Sequence, residues 1–243
     1  MPRDGADRPE AIMLTFLGIG AQKCGSTWLY EQLSRHPKVS FPAGKEVHFW
    51  DKARQRGVDY YRGLFTKGEG EHEGDVTPAY AILPPEVIEE CHCAFPRLRL
   101  IYVLRNPLER AWSHAKMDAC AAGLTPGSLP DAWFLDHFHS RESLARGDYE
   151  LCLRNWLDCY EEDKLLLLFF EELAHSPSSL LAKCCRHLGL DDIYENHVYG
   201  QKTFAGPPDA IRPNLVGPLR RIYKRNVESL GCYLKADLSA WVR

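Results

Sequence analysis

Runs of apolar residues separated by stretches of helical spacing dominate the pattern of this chain. Four runs have the length of β-strands: Leu14–Ile19, Val39–Phe41, Leu98–Leu104 and Leu165–Phe170. The last two are almost wholly apolar, which is typical of parallel strands covered on both faces. Apolar residues recur with helical spacing over 149–160 and 215–230. Alternating strands and helices predict an α/β fold with three layers and a central parallel sheet.

The length of 243 residues and an ordinary content of charged residues, 26%, suit one globular domain. We expect a flexible polar tail over 1–12 and a single domain over 13–243. The segments 119–147 and 199–214 are rich in glycine, proline and polar residues. They are predicted to be loops over a cleft, where they would set specificity.

The most informative segment is GIGAQKCGSTWLYEQL, in which the first strand leads through a glycine-bounded loop into a helix. Such a loop directs backbone N–H groups at the helix N-terminus towards one point, beside the positive end of the helix dipole. Lys23 adds a full positive charge, and Ser26 and Thr27 add hydroxyl donors. The segment therefore predicts a site for a phosphate-like anion.

The order of residues differs from that of a Walker A loop. Gly20 and Gly25 have the Walker separation, but Ser26 stands where the Walker lysine follows the second glycine, and Lys23 lies inside the loop. This difference disfavours a metal-dependent nucleotide kinase. It favours a loop that holds an anion through a lysine and the backbone, with no metal ion.

Three segments in order resemble the superfamily of sulfotransferases that use 3′-phosphoadenosine 5′-phosphosulfate (PAPS). QKCGSTW resembles the family's 5′-phosphosulfate loop, and LRLIYVLRNPLERAWSH resembles its 3′-phosphate segment. KEVHFWD resembles the stretch that carries the catalytic carboxylate in the heparan-sulfate-type branch. The resemblance implies a P-loop-like domain that transfers a sulfuryl group from PAPS to a hydroxyl of a sugar or a secondary metabolite.

The resemblance also implies the nucleotide contacts. Lys23 is expected at the leaving oxygen, while Arg105 and Ser113 are expected to bind the 3′-phosphate. The alternative for Arg105 is an ion pair at the end of its strand. The remaining predicted nucleotide contacts, from the loop and from a later basic segment, are Cys24, Gly25, Ser26, Thr27, Trp28 and Lys202.

Two of these contacts have structural alternatives. Cys24 could simply fill space inside the loop, because cysteine packs like a small apolar residue. Trp28 could belong to the core instead of stacking on adenine.

The acceptor side is predicted from two further segments. Glu46 and His48 alternate to one face of an extended segment, and the resemblance makes Glu46 the first choice of general base and His48 the second. Asp51 is a weaker candidate, and Lys45 could pair with a carboxylate.

Thr77-Pro78-Ala79-Tyr80 resembles a stretch at the family's acceptor cleft. Asp75, Thr77 and Tyr80 are therefore predicted to contact the acceptor. A tight turn without acceptor contact is the alternative.

Charge and cysteine content restrict the partners. The net charge of −3 gives no basic field for nucleic acid or for an anionic membrane. The expected acceptor, a small molecule or a carbohydrate, is implied by the resemblance to the sulfotransferases. The nine cysteines follow no zinc spacing and are expected to be free thiols in a reducing compartment. Without an apolar run of about 20 residues, we expect a cytoplasmic enzyme that has no membrane anchor.

Two other classes of function remain open. A P-loop kinase predicts binding of a nucleoside triphosphate together with magnesium. A non-catalytic nucleotide-binding module would keep the loop but not the Glu46–His48 pair.

Overall fold

The computed structural model describes residues 14–65, 72–194 and 210–243. Its strands are β1 (Leu14–Gly20), β2 (Val39–Ser40), β3 (His72–Val76), β4 (Arg99–Leu104) and β5 (Leu165–Phe169). They form one parallel sheet in the order β2-β3-β1-β4-β5. The prediction of an α/β fold with a central parallel sheet is confirmed. The tail predicted over 1–12 lies outside the described residues.

The four predicted strands are present, and β3 is an additional one. Its sequence, HEGDV, contains charged residues, yet Glu73, Gly74 and Asp75 are buried in the sheet. Gly74 pairs with Phe16 of β1, and a Cβ added to Gly74 would lie 2.2 Å from the Phe16 ring. Only glycine leaves room for that ring at this position of the sheet.

Ten α-helices lie in the described parts of the chain. They are α1 (Ser26–Leu33), α2 (Val58–Gly63), α3 (Pro85–Ala94), α4 (Pro107–Ala121), α5 (Asp131–Phe138), α6 (Arg141–Gly147), α7 (Tyr149–Leu157), α8 (Glu171–His175), α9 (Pro177–Leu188) and α10 (Pro213–Leu234). The helical spacing over 149–160 and 215–230 corresponds to α7 and α10. None of the helices in these parts of the chain has the length and apolarity needed to cross a membrane.

The prediction of a loop over 119–147 is wrong for most of that segment, which contains the end of α4 and all of α5 and α6. Phe134 of α5 is buried against Trp112 of α4, with ring centroids 4.8 Å apart. The Arg212 guanidinium also lies over the Phe134 ring, 4.7 Å from its centroid. Apart from Gly147 at the end of α6, glycine and proline are confined to the connection before α5, so they mark its start and not a loop throughout. Most of the second predicted loop, 199–214, lies outside the described residues.

The order of strands brings two connections together. β1 and β4 are parallel neighbours, so the loop after β1 and the residues after β4 leave the same edge of the sheet. Ligands of α/β proteins bind at this carboxyl edge. The backbone N–H of Ala21 donates to the carbonyl of Val103 (2.9 Å), which fixes the beginning of the loop against β4.

Candidate active site

The anion loop, which we define as residues 20–27, connects β1 to α1. Gly25 precedes α1 with φ 91° and ψ 18°, and no side chain caps the N–H groups of the first helical turn. A Cβ added to Gly25 would lie 3.0 Å from Leu173 Cδ1 and 3.2 Å from the Phe170 ring, so a side chain would meet both the strain of a positive φ and a crowded environment. The uncapped amides, together with Lys23, form a concentrated donor site for an anion.

Arg105, the first residue after β4, lies directly against this loop. Its Nη1 donates to the carbonyl of Lys23 (3.1 Å), and its guanidinium lies 4.4 Å from the centre of the Phe170 ring. Its Nη2 and Nε donate to Glu109 Oε2 at 2.9 and 3.2 Å. The structure thus brings Lys23 and Arg105 together. It also contains the ion pair that was the alternative explanation for Arg105.

The other predicted nucleotide contacts differ in how accessible they are. Ser26 and Ser113 are partly buried, Thr27 is exposed, and Ser113 lies in α4 beyond Arg105. Lys202 lies outside the described residues. These contacts remain predictions.

Two predicted contacts require correction. The Trp28 side chain is only 4% exposed and belongs to the core, so it offers no open face to an adenine ring. Cys24 is fully buried, its backbone N–H donates to the carbonyl of Ala21 (3.2 Å), and burial raises the pKa of its thiol to about 12. Cys24 therefore fills the space beneath the loop as an unreactive thiol.

The base segment, defined as residues 45–49, carries the carboxylate and imidazole predicted to be catalytic. His48 Nε2 lies 3.6 Å from Glu46 Oε2, and His48 Nδ1 lies 2.8 Å from Asp51 Oδ2. The Lys45 ammonium pairs with the other oxygen of Glu46. Glu46 and Asp51 therefore flank the same imidazole. Lys45 pairs with the second oxygen of the Glu46 carboxylate, as the sequence suggested for Lys45.

The surroundings shift the pKa values of two site residues. Burial alone would raise the pKa of Glu46, but hydrogen bonding and charge from Lys45, with a contribution from His48, outweigh it and lower the pKa. The pKa of Lys23 is also lowered, first by burial and then by the positive charge of Arg105. Lys45 contributes to the same lowering, so the base segment lies within electrostatic reach of the anion loop.

Three non-glycine residues of the site have backbone conformations in the left-handed region. They are Lys23 with φ 68°, Glu46 with φ 60° and His48 with φ 54°. Such conformations cost about 1–3 kcal/mol each and persist only where surrounding contacts enforce them. Their position at the three residues predicted to do chemistry supports a functional site.

The residues predicted to contact the acceptor lie instead beneath the base segment. Asp75, Thr77 and Tyr80 are each 0% exposed, so direct contact with an acceptor is not supported by the structure. The Asp75 carboxylate accepts hydrogen bonds from Thr77 Oγ1 (2.6 Å), Tyr80 Oη (2.8 Å) and Tyr61 Oη (2.8 Å). Sequence reasoning did not include Tyr61, which lies in α2 and has no motif of its own.

The short helix Pro78–Ile82 also contacts the anion loop. A Cβ added to Gly20 would lie 2.8 Å from Ala81 Cβ and 3.0 Å from the carbonyl oxygen of Pro78. Gly20 is therefore required for close approach between the end of β1 and the element that underlies the base segment. The short helix Pro78–Ile82 thus contacts both the anion loop and the base segment, the two predicted parts of the site.

One group of three side chains in the described residues has the composition of a metal site. His114 and His137 approach Asp118 Oδ2 through their Nε2 atoms, at 3.2 and 2.8 Å. Burial, followed by the charge of Arg110, lowers the pKa of His114 to about 4. The buried Nδ1 atoms of both rings have no hydrogen-bond partner among the described residues, whereas a metal-bound histidine normally donates from that atom. Hydrogen bonding to a shared carboxylate accounts for the cluster better than a metal does.

Comparison with known proteins identifies the family. The model of the sulfotransferase domain matches residues 15–205. Heparan sulfate glucosamine 3-O-sulfotransferase 6 of Mus musculus is 31% identical over an alignment of 208 residues, which covers 82% of this chain and 58% of that protein. The chain belongs to the sulfotransferase domain family. It spans somewhat more than half the length of that relative.

Solved structures agree with this family. A sulfotransferase from Alicyclobacillus acidocaldarius superimposes with a TM-score of 0.76 at 25% identity, covering 95% of this chain and 99% of the other. Mouse sulfotransferase SULT7A1, solved in complex with PAP, has a TM-score of 0.59 at 17% identity, covering 91% and 87%. The second likeness concerns the fold alone.

Proposed function

We propose that this protein transfers the sulfuryl group of PAPS to a hydroxyl of a carbohydrate or small-molecule acceptor. The observation that carries the proposal is the hydrogen bond from Arg105 to the Lys23 carbonyl, because it joins the two predicted phosphate sites at one edge of the sheet. The uncapped amides of α1, the Lys23 ammonium and the Arg105 guanidinium suit a nucleotide that carries anions at both its 5′ and 3′ positions.

The reaction requires one bond to form as another breaks. The acceptor oxygen bonds to sulfur, its proton passes to Glu46, and the bridging oxygen leaves with the electron pair of its bond to sulfur. Lys23 stabilises the charge that develops on this oxygen, and the amides of α1 hold the 5′-phosphate. His48 orients the Glu46 carboxylate and is the second candidate for the base. Positioning and electrostatic stabilisation supply most of the rate, as in phosphoryl transfer.

The acceptor class is proposed from the relatives and from charge. The similar proteins named as heparan sulfate sulfotransferases act, by their names, on a carbohydrate. A net charge of −3 does not favour a long polyanion, so a neutral sugar or a small hydroxylated metabolite is preferred to heparan sulfate itself. The cytoplasmic location expected from the sequence stays a prediction.

Calorimetry with 3′-phosphoadenosine 5′-phosphate (PAP), in buffer containing either EDTA or magnesium, tests the nucleotide and the metal-free site together. We expect the same affinity in both buffers, because two cationic side chains take the place of a metal. ATP in the presence of magnesium is the comparison ligand. Binding of PAP that disappears on chelation, or tighter binding of ATP with magnesium, would favour the kinase alternative over this proposal.

Transfer itself is measured by incubating the enzyme with PAPS and a metabolite extract and analysing the products by mass spectrometry. A product heavier by one sulfuryl group, formed only with active enzyme, identifies the acceptor. PAP binding without any transfer to hydroxylated compounds would favour a non-catalytic nucleotide-binding module.

A further inference from the structure

A buried carboxylate lies directly beneath the base segment. Asp75, in β3, is fully buried, and burial raises the pKa of its carboxyl group, opposed by hydrogen bonds from Thr77, Tyr61, Tyr80 and the backbone N–H of Val47. All four groups donate, so they stabilise the ionised form of the acid. Removing one partner from such a buried network leaves the remaining polar groups without a hydrogen bond, which is energetically costly.

Consecutive backbone amides of the base segment donate hydrogen bonds to this network or to β3, the strand that carries Asp75. The N–H of Glu46 donates to the carbonyl of Val76 (3.2 Å), and the N–H of Val47 donates to Asp75. The next two amides use side chains that themselves donate to Asp75. His48 N donates to Thr77 Oγ1 (3.4 Å), and Phe49 N donates to Tyr80 Oη (2.9 Å).

The hydroxyls of Thr77 and Tyr80 therefore each donate one hydrogen bond and accept another. Thr77 and Tyr80 each donate their one hydroxyl proton to Asp75. Their oxygens can then act only as acceptors, and they accept from the amides of the base segment. Tyr61 supplies a third hydroxyl to Asp75, and its ring stacks on Phe49 with centroids 4.4 Å apart. The direction of every hydrogen bond in the network thus follows from the negative charge on Asp75.

The base segment needs such support because its backbone is strained. Glu46 and His48 both have positive φ, and neither residue is glycine. A segment held this way relaxes to ordinary φ values when its amides lose their acceptors, and the Glu46 carboxylate would then move away from the reacting oxygen. A displacement of about 1 Å costs an enzyme about 100-fold in rate.

We propose that Asp75 is a positioning residue for sulfuryl transfer, which acts through Thr77 and Tyr80 to hold Glu46 and His48 in their left-handed conformations. The inference rests on the proposed function, because it assigns to Asp75 the placement of the proposed base. It replaces the acceptor contact first expected of Asp75, Thr77 and Tyr80.

The decisive experiment is a double-mutant cycle on single-turnover transfer at saturating PAPS, with Asp75→Asn and Glu46→Gln separately and together. Asp75→Asn should lower the rate about 10- to 100-fold while PAP affinity stays within about twofold of wild type. In the Glu46→Gln background, the same substitution should cost less than about twofold, because there is no base left to position. Fully additive losses would overturn the inference.

Hydrogen exchange provides a readout that does not depend on activity. The amides of Val47, His48 and Phe49 should lose protection in Asp75→Asn, while the amides of β4 keep theirs. Tyr80→Phe removes one acceptor but retains the buried charge, so it should expose the Phe49 amide even if Asp75→Asn does not fold. Tyr160→Phe removes an equally buried hydroxyl bonded to the Phe95 carbonyl and serves as the matched control.

The outcomes separate this inference from the proposed function. Loss of protection in the base segment together with normal turnover in Glu46→Gln would reject Glu46 as the base, and the cycle would then be repeated with His48→Ala. Unchanged protection of the three amides in both Asp75→Asn and Tyr80→Phe would overturn the positioning role, even if PAP binding and sulfuryl transfer are established.

Discussion

The anion loop and the base segment are held in different ways. The loop combines local bonds, such as Cys24 N–H to the Ala21 carbonyl (3.2 Å), with bonds to the residues around the end of β4, from Ala21 N–H to the Val103 carbonyl (2.9 Å) and from Arg105 Nη1 to the Lys23 carbonyl (3.1 Å). The base segment has its amides bonded to residues that follow about 30 positions later in the chain. Both contain strained residues, but only the loop uses glycine to relieve the strain.

This difference predicts which changes should affect which step. Substitutions in the loop should act on the nucleotide and on the leaving oxygen, because the loop supplies the amides and the ammonium proposed to contact them. Remote support means that substitutions beneath the base segment alter turnover without changing nucleotide affinity.

Lys23→Ala should have the largest effect. Loss of a preorganised charge at the leaving oxygen lowers turnover about 10²- to 10³-fold, and loss of charged hydrogen bonds worth about 1.5–3 kcal/mol weakens nucleotide binding as well. The measurements are single-turnover transfer at saturating PAPS and calorimetry with PAP. Lys224→Ala, on the exposed face of α10, is the matched control.

Lys23→Arg sharpens this test, because a planar guanidinium cannot take the place of a compact ammonium in a tight loop. We expect only partial rescue. A Lys23→Ala enzyme with weakened binding but a wild-type single-turnover rate would show that Lys23 is a binding residue alone.

Glu46→Gln should lower turnover about 10²- to 10⁴-fold, because a general base is lost while the shape of the side chain is kept. PAP affinity should not change, since the substitution lies in the base segment and not in the loop. Rapid-quench kinetics and calorimetry on the same preparation measure both. Normal turnover in Glu46→Gln with a large loss in His48→Ala would assign the base to His48.

Arg105→Ala should weaken PAP binding about 10- to 100-fold, because charged hydrogen bonds to a phosphate are lost. Glu109→Gln should have the opposite effect, a few-fold gain, because Glu109 accepts hydrogen bonds from two donors of Arg105 and competes with a phosphate for them. Calorimetry with PAP measures both variants, and Arg225→Ala on α10 is the control. Equal affinity in the folded Arg105 variant and the wild type would leave Arg105 as a structural ion pair only.

The dependence of activity on pH should report on the anion loop at its basic limb and on the base segment at its acid limb. The lowered pKa of Lys23 means that its charge is lost as pH rises through a value below the ordinary 10.5, so kcat/KM for PAPS should fall there. The bound anion opposes this loss, so the basic limb of kcat should lie at higher pH. The lowered pKa of Glu46 keeps the base ionised to below the ordinary 4.5, and activity should fall only as pH drops through that range.

Lys45→Met should move the acid limb of the profile to higher pH. Burial raises the pKa of Glu46, and without the Lys45 ammonium this effect is no longer outweighed. An acid limb near neutral pH in the wild type would contradict Glu46 as the base. Profiles of kcat and kcat/KM for PAPS, recorded in wild type and Lys45→Met, decide the point.

The sequence alone predicted most of the strands and the anion loop, because the signals for both lie within short stretches of chain. Apolar runs predicted four of the five strands, and the positions of Gly20, Lys23 and Gly25 predicted an anion site at the start of a helix. These features depend on neighbours in the sequence, for which local spacing is a sufficient guide.

Only the tertiary structure showed how the base segment is held and which predicted contacts are buried. β3 escaped prediction because Glu73 and Asp75 make it look polar, and a buried charge is tolerated only when it is paired or hydrogen-bonded, which the packed chain decides. Tyr61 of α2 and Tyr80 meet Asp75 through the fold, and Trp28 is covered by the core. Burial and long-range hydrogen bonding are properties of the packed chain, so no local pattern could have shown that Asp75 lies beneath the base segment and not at its surface.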